Sequence, residues 1–246
     1  MSDASTTRIS DHDAANIRAL ITQRGWQELD EYDRIGAAYT FVKDEIEFGY
    51  NESDDVPASR VLAQGYGQCN TKGNLLFALL RALDVECRVH GFTIHKDLQR
   101  GAIPWWMYPL APPEILHSWI EVKLGAEWLE LEGFILDEAY LRSLQARFRD
   151  RRGAFCGWGA ATPDLQNPEV EWRGRSTYIQ RDGIARDFGV FDTPDELYRR
   201  HGTNLTGLKR IAYSAILRHA MNRTVDHIRR STHKLPETHD VAPTQP

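Results

Sequence analysis

Hydrophobic positions recur at helical spacing over two stretches near the start of the chain, residues 12 to 24 and about 27 to 47; the second sets Ile35, Ala38, Tyr39, Val42 and Ile46 on one stripe. A polar turn region runs from Tyr50 to Pro57. Leu75, Leu76, Leu79, Leu80 and Leu83 then form another stripe, which predicts a helix of roughly four turns beginning at or near Cys69. Val85 to Ile94 is short, rich in β-branched residues and bounded by charge, and reads as a strand. Residues 95 to 116 hold four prolines and no clean period, which predicts a long irregular loop.

Two alternating segments, HSWIEVKL and EWLELEGF, flank Gly125-Ala126 and read as a β-hairpin. A helix is expected over about 137 to 150, then a Gly-rich, Pro-containing stretch to about 175. STYIQRDGIARDFG has Asp182-Gly183 at its centre and predicts a second hairpin. Thr193-Pro194-Asp195-Glu196 combines a capping box with proline at the first helical position and opens a helical region running to about Arg230. Residues 231 to 246 are polar and read as a disordered tail. The chain is thus expected to be α+β, one domain over residues 1 to 230, with a core over about 35 to 140 and an addition over about 151 to 230.

Composition narrows the function. A chain of 246 residues that is 41% hydrophobic can bury a full core. A net charge of −5 gives no electrostatic reason to expect nucleic acid, and no apolar run approaches the roughly 18 residues of a membrane span. The first twenty residues are polar and acidic where a secretory signal would be basic and then apolar, so a cytoplasmic location is expected. Cys69, Cys87 and Cys156 are then thiols, and the sequons at Asn204 and Asn222 are silent. Nothing in the pattern speaks to oligomeric state.

GYGQCNTKG poses the chemical question. A thiol at a helix start meets unpaired N–H groups and the positive end of the macrodipole, which favour the thiolate. Cys69 there is either a nucleophile or a small buried residue. Gly65 and Gly67 let the backbone turn sharply, leaving the Cys69 N–H as an oxyanion donor. Gln68 is a candidate second donor, equally able to cap the helix, and Tyr50 or Asn51 are further candidates.

If Gly125-Ala126 is a two-residue loop, Leu124 faces Glu127, His117 faces Phe134 and Trp119 faces Glu132. His117 and Glu132 are then diagonal neighbours about 7–8 Å apart. They share a polar face with Trp119, Glu121, Trp128 and Glu130, while Ile120, Val122, Leu124, Leu129 and Leu131 form the core face. A carboxylate on one imidazole nitrogen fixes the tautomer and frees the other to take a thiol proton. The plainer reading of the same pair is a surface salt bridge.

Gly65-Tyr66-Gly67-Gln68-Cys69, His117-Ser118-Trp119 and Trp128-Leu129-Glu130-Leu131-Glu132, in this order, resemble the transglutaminase-like superfamily, whose core is papain-like; Ala58 to Leu62 extends the likeness upstream. The resemblance covers roughly residues 35 to 140. By position it implies Cys69 as nucleophile, His117 as base and Glu132 as third member, where the family usually has aspartate. It implies cysteine-dependent acyl transfer at an amide without a cofactor. Hydrolysis of a peptide or small amide leads, with transamidation or biosynthetic acyl transfer, and a non-catalytic binding module, as alternatives.

Other residues carry weaker signals. Trp105, Trp106 and Arg100 lie in the long loop where a substrate-covering element belongs, and with Tyr66 and Trp119 are substrate-binding candidates; the two tryptophans serve equally as loop anchors. Cys87 and His90 point to opposite faces of a strand and fall short of a zinc site, so no metal is expected. Cys156 reads as a small loop residue. Leu208, Ile211, Ala212, Ala215, Ile216 and Ala220 form a stripe, with Lys209, Arg210, Arg218, Arg223, Arg229 and Arg230 mostly elsewhere, as in a docked helix with a solvated face rather than a membrane-surface helix.

Overall fold

A computed structural model describes residues 6–204, 207, 211 and 213–231. The first two apolar stripes form α1 (Ala15–Arg24) and α2 (Glu31–Asp44), the latter capped by the Asp30 carboxylate on the Asp33 N–H. A two-residue strand, β1 (Glu47–Phe48), leads through the polar turn to α3 (Ala58–Gln64). Gly65, at φ 73°, ends α3 in a conformation that costs a side-chain-bearing residue strain. The chain then pairs as β2 (Tyr66–Gly67), parallel to β1, and enters α4 (Cys69–Ala82).

The α4 helix starts at the cysteine, as the pattern predicts, but it is buried from Asn70 through Leu80 rather than on one stripe. It lies between α2, α3 and the sheet, so no face meets solvent along that length. The Lys72 ammonium inside this layer donates to the carbonyls of Lys43, Ile46 and Ile135 at 2.7–3.1 Å, tying the end of α2 to the segment after the hairpin.

The sheet has four antiparallel strands: β3 (Cys87–His95), β4 (Glu114–Leu124), β5 (Glu127–Leu131) and β8 (Ile184–Phe191), in the order β5-β4-β3-β8. The β4–β5 register is the expected one, with Leu124 opposite Glu127 and Ile120 opposite Leu131. The ladder stops there. Glu132 turns away from Trp119 and donates its N–H to the Thr177 carbonyl at 3.0 Å.

Three expectations are corrected. Asp182-Gly183 does not centre a hairpin: residues 181–183 form a 3-10 turn, and the strand after it pairs with β3, a partner nearly a hundred residues upstream in the chain. The short hairpin of this region is instead β6 (Phe155–Gly157) with β7 (Ala160–Thr162), turning at Trp158-Gly159. The face of the β4–β5 hairpin assigned as polar is largely covered, with His117, Trp119, Glu121 and Glu132 all buried, because the 177–180 segment and β3 side chains lie over it.

The third concerns the C-terminal stripe. After α5 (Glu138–Arg147) and α6 (Pro194–His201), the latter capped by Thr193 on the Glu196 N–H, a π-helical turn at Tyr213–Leu217 leads into α7 (Arg218–Arg230). Ile211, Ala215 and Ile216 are exposed, while Met221, Val225 and Ile228 are buried and Tyr213 and Leu217 pack against the core. A π turn takes up an extra residue and rotates the inward face, which a uniform helical period misses. Leu208, Lys209, Arg210 and Ala212 of that stripe, and the tail from residue 232, lie outside the described residues.

The α7 helix docks through Arg229, whose guanidinium reaches the Asp137 carboxylate at 2.9 Å and the Phe48 carbonyl at 2.6 Å. Asp137, itself buried, also accepts the Phe48 and Tyr140 N–H groups, so this pair joins β1, α5 and α7. One apolar cluster runs from Ile9 through these layers to Ile228.

Candidate active site

Cys69 is the first residue of α4, and its N–H is among those a helix leaves without an internal partner. The turn before it is held from both sides. The Gln68 N–H donates to Thr71 Oγ1 at 3.0 Å, and Gln68 Oε1 accepts the Asn51 N–H at 2.8 Å. Gln68 Nε2 makes a long 3.5 Å contact with Asp54 Oδ1, so Gln68 caps and braces the turn while also lining the space beside the thiol. The Tyr50 and Asn51 N–H groups are spent on Asn222 Oδ1 and on Gln68, which leaves neither N–H free as a second oxyanion donor.

Asn70 sets the distance between helix and sheet. Its Nδ2 donates to the Leu116 carbonyl and to Asp54 Oδ1, both at 3.0 Å, and its Oδ1 accepts from Ser118 Oγ at 3.1 Å. These bonds bracket His117 on β4. Asn204 adds a second clamp, accepting the Leu116 N–H at 2.6 Å and donating to its carbonyl at 3.1 Å.

The His117 ring is fully buried, edge-on to Phe92 at 4.8 Å between centroids. Its Nε2 lies 3.2 Å from Glu132 Oε1. Nδ1 has no hydrogen-bond partner among the described residues, and the Cys69 sulfur is the ring's other electrostatic neighbour. Burial alone would strip the imidazole of its proton; the adjacent sulfur and the Glu132 carboxylate outweigh it and hold the ring protonated up to about 9. Glu132 is itself fully buried, and its Oε2 accepts the N–H groups of Ile179 at 3.0 Å and Gln180 at 2.8 Å.

The sulfur opens into a cavity of about 400 Å³. Ile94, Ile103, Met107 and Ile115 wall it from the core side, and Tyr213, Leu217 and Met221 from the C-terminal addition. Asp54, Gln68, Gln99, Gln180 and Asn204 supply polar points.

The structure therefore gathers Cys69, His117, Glu132 and Gln68 in one place. It does not gather the other candidates there. Trp105 and Trp106 stand out from the loop surface, 86% and 47% exposed. Arg100 is engaged at the surface with Asp97 and Tyr108. Tyr66 accepts from Arg218 at 3.2 Å, and Trp119 is buried against Phe92 and His90. Spacing gave no sign of the amides of Ile179 and Gln180, which belong to no regular element, nor of the Asn70 clamp; an asparagine directly after the cysteine was the one available hint of the latter.

Among the described residues, His90, Glu121 and Glu130 bring ligand-type atoms within 4.8 Å of one another. His90 bonds carboxylates through both nitrogens, Glu121 and Asp187 at 2.8 Å each, and Arg88 sits on Glu121 at 2.6 Å. Burial opposes the His90 charge, yet the two carboxylates raise its pKa, and with a carboxylate acceptor on each nitrogen the ring is part of an ion-pair network.

Residues 19–133, which hold all three members of the Cys-His-Glu set, match the model of the transglutaminase-like superfamily. The resemblance read from the sequence is thereby borne out, and the α+β fold carries a transglutaminase-like core. A solved structure of a candidate cysteine protease from Cytophaga hutchinsonii is similar to the chain at 12% identity and a TM-score of 0.43, over 87% of this chain. The present chain spans 48% of that protein's length. No curated protein matches the sequence.

Proposed function

We propose that the chain is a cysteine-dependent enzyme acting at an amide bond, and that it hydrolyses a peptide or small amide through a thioester. Cys69 is the nucleophile, His117 the base and then acid, and Glu132 the carboxylate that orients the ring. The observation that carries this reading is the division of labour in Glu132: one oxygen on His117 Nε2, the other on two backbone amides, which leaves Nδ1 as the nitrogen available to the thiol.

In this scheme the Cys69 sulfur attacks the carbonyl carbon and the oxygen gains the negative charge. The Cys69 N–H and an amide proton of Gln68 supply the stabilising dipoles. Nδ1–H of His117 gives its proton to the departing amine as the C–N bond breaks. Water, losing a proton to the same nitrogen, then opens the thioester and restores the thiol. The three unpaired cysteines support a reducing, cytoplasmic setting.

Intact-mass analysis of wild type and Cys69→Ala after incubation with pools of peptides and small amides tests this. An acyl adduct on the wild type alone is expected, with release unaffected by added amines. Release that accelerates with an amine acceptor would move the reaction to transamidation. Iodoacetamide labelling of Cys69 no faster than that of Cys87 or Cys156 below pH 8 would overturn the enzyme reading altogether.

A further inference from the structure

Gln180 stands out among the residues around the thiol. It forms part of the wall of the Cys69 cavity and is only 4% exposed. Its backbone N–H is held by Glu132 Oε2, and its Nε2 donates to the carbonyl of Gly159, another residue of the same wall. The Gly159 carbonyl requires a donor, which fixes the amide's orientation. Oε1 is then left with no hydrogen-bond partner among the described residues. A buried acceptor without a donor is uncommon in folded proteins and marks a place where a partner is missing.

The structural duties of Gln180 are carried by its two N–H groups, so they do not account for that oxygen. The cavity that Gln180 lines is otherwise walled largely by hydrocarbon: Ile94, Ile103, Met107, Ile115, Leu217 and Met221. From this wall we infer that Gln180 is a substrate-binding residue whose Oε1 accepts a hydrogen bond from an N–H of the bound amide, while the apolar wall takes an uncharged side group. The preferred substrates are accordingly N–H-bearing amides carrying an aliphatic or aromatic group. The inference rests on Cys69 being the nucleophile proposed above.

Three alkylating probes test it: 2-chloroacetamide, N-hexyl-2-chloroacetamide and N-hexyl-N-methyl-2-chloroacetamide. Each forms an S–C bond to Cys69 as C–Cl breaks and chloride leaves. Rates at Cys69 are read by mass mapping and divided by those of the same probe with N-acetylcysteine. The hexyl secondary amide is expected to exceed 2-chloroacetamide by about tenfold or more through the apolar wall, and N-methylation to cost about five- to tenfold through the lost hydrogen bond. In Gln180→Met the N-methylation ratio falls to near one, which separates a missing bond from simple crowding. A ratio near one already in the wild type overturns the role of Gln180 and leaves the nucleophile intact, with no need for a variant to fold. Equal rates at Cys69, Cys87 and Cys156 with every probe overturn both.

Discussion

Glu132 Oε1 lies 3.2 Å from His117 Nε2 while its Oε2 is fixed by the amides of residues 179 and 180. Both oxygens are therefore committed, and the extra methylene relative to aspartate spans from the imidazole to the C-terminal addition. Glutamine at this position keeps the shape but presents an N–H₂ to one of two sets of donors. Glu132→Gln should lower turnover by about a hundredfold or more. Because it also removes a charge that supports the imidazolium, the alkaline limb of the pH–rate profile should lie at lower pH in the variant than in the wild type.

His117 makes stability depend on pH. Its pKa in the folded chain is about 9 against an ordinary 6.5, so the folded state binds the proton more tightly. That contribution is complete below 6.5, declines between 6.5 and 9, and is lost above 9; its size is on the order of a few kcal/mol. Denaturant titrations of wild type and His117→Gln across this window should show the wild-type advantage shrinking as pH rises. A gap that stays constant would contradict the assignment.

Arg229 anchors α7, which contributes Met221 to the cavity wall, to Asp137 and to Phe48 of β1. Arg229→Met leaves the buried Asp137 carboxylate without its cation, although Asp137 keeps the Phe48 and Tyr140 N–H groups. A loss of about 2–4 kcal/mol is expected from chemical denaturation. Limited proteolysis should then cut first within α7, and Cys69 labelling should lose its preference for apolar probes as Leu217 and Met221 leave the wall.

Gly133 follows Glu132 where the chain has no room. A Cβ there would lie 2.5 Å from Tyr39 Oη and 2.8 Å from the Val170 Cα, and backbone cannot step aside cheaply. Gly133→Ala should destabilise by about 1–3 kcal/mol. Activity should fall by more than the unfolded fraction explains, since the displaced neighbour carries the carboxylate; thermal melts paired with activity at low temperature separate the two effects.

Local signals were sound wherever a short stretch determines its own outcome. The Thr193 cap, the Gly125 turn with its register as far as Ile120–Leu131, and the helix beginning at Cys69 depend on neighbours within a few residues, and each is found as read. Asp182-Gly183 fails for the opposite reason. Its turn chemistry is compatible with a hairpin, but the strand after it bonds to β3, a partner far upstream, and that long-range pairing overrides the local preference. The pairing of His117 with Glu132 was legible from the hairpin, whereas its joining to Cys69 came only from the family resemblance. The cradle of Glu132, the Asn70 clamp and the cavity's upper wall were not, because each is a contact between distant segments with no spacing to betray it. The phase slip at Tyr213–Leu217 was equally invisible to a fixed period.

The family match ends at residue 133, one position beyond the carboxylate that steadies the imidazole, yet the amides gripping that carboxylate come 47 and 48 residues later. A fragment cut at that border would keep Cys69, His117 and Glu132 and still lose the grip on the last of them. The region after the border is thus no passenger. Any transplant of this chemistry into another scaffold has to bring along the strip from Thr177 to Gln180, or supply two equivalent dipoles in its place.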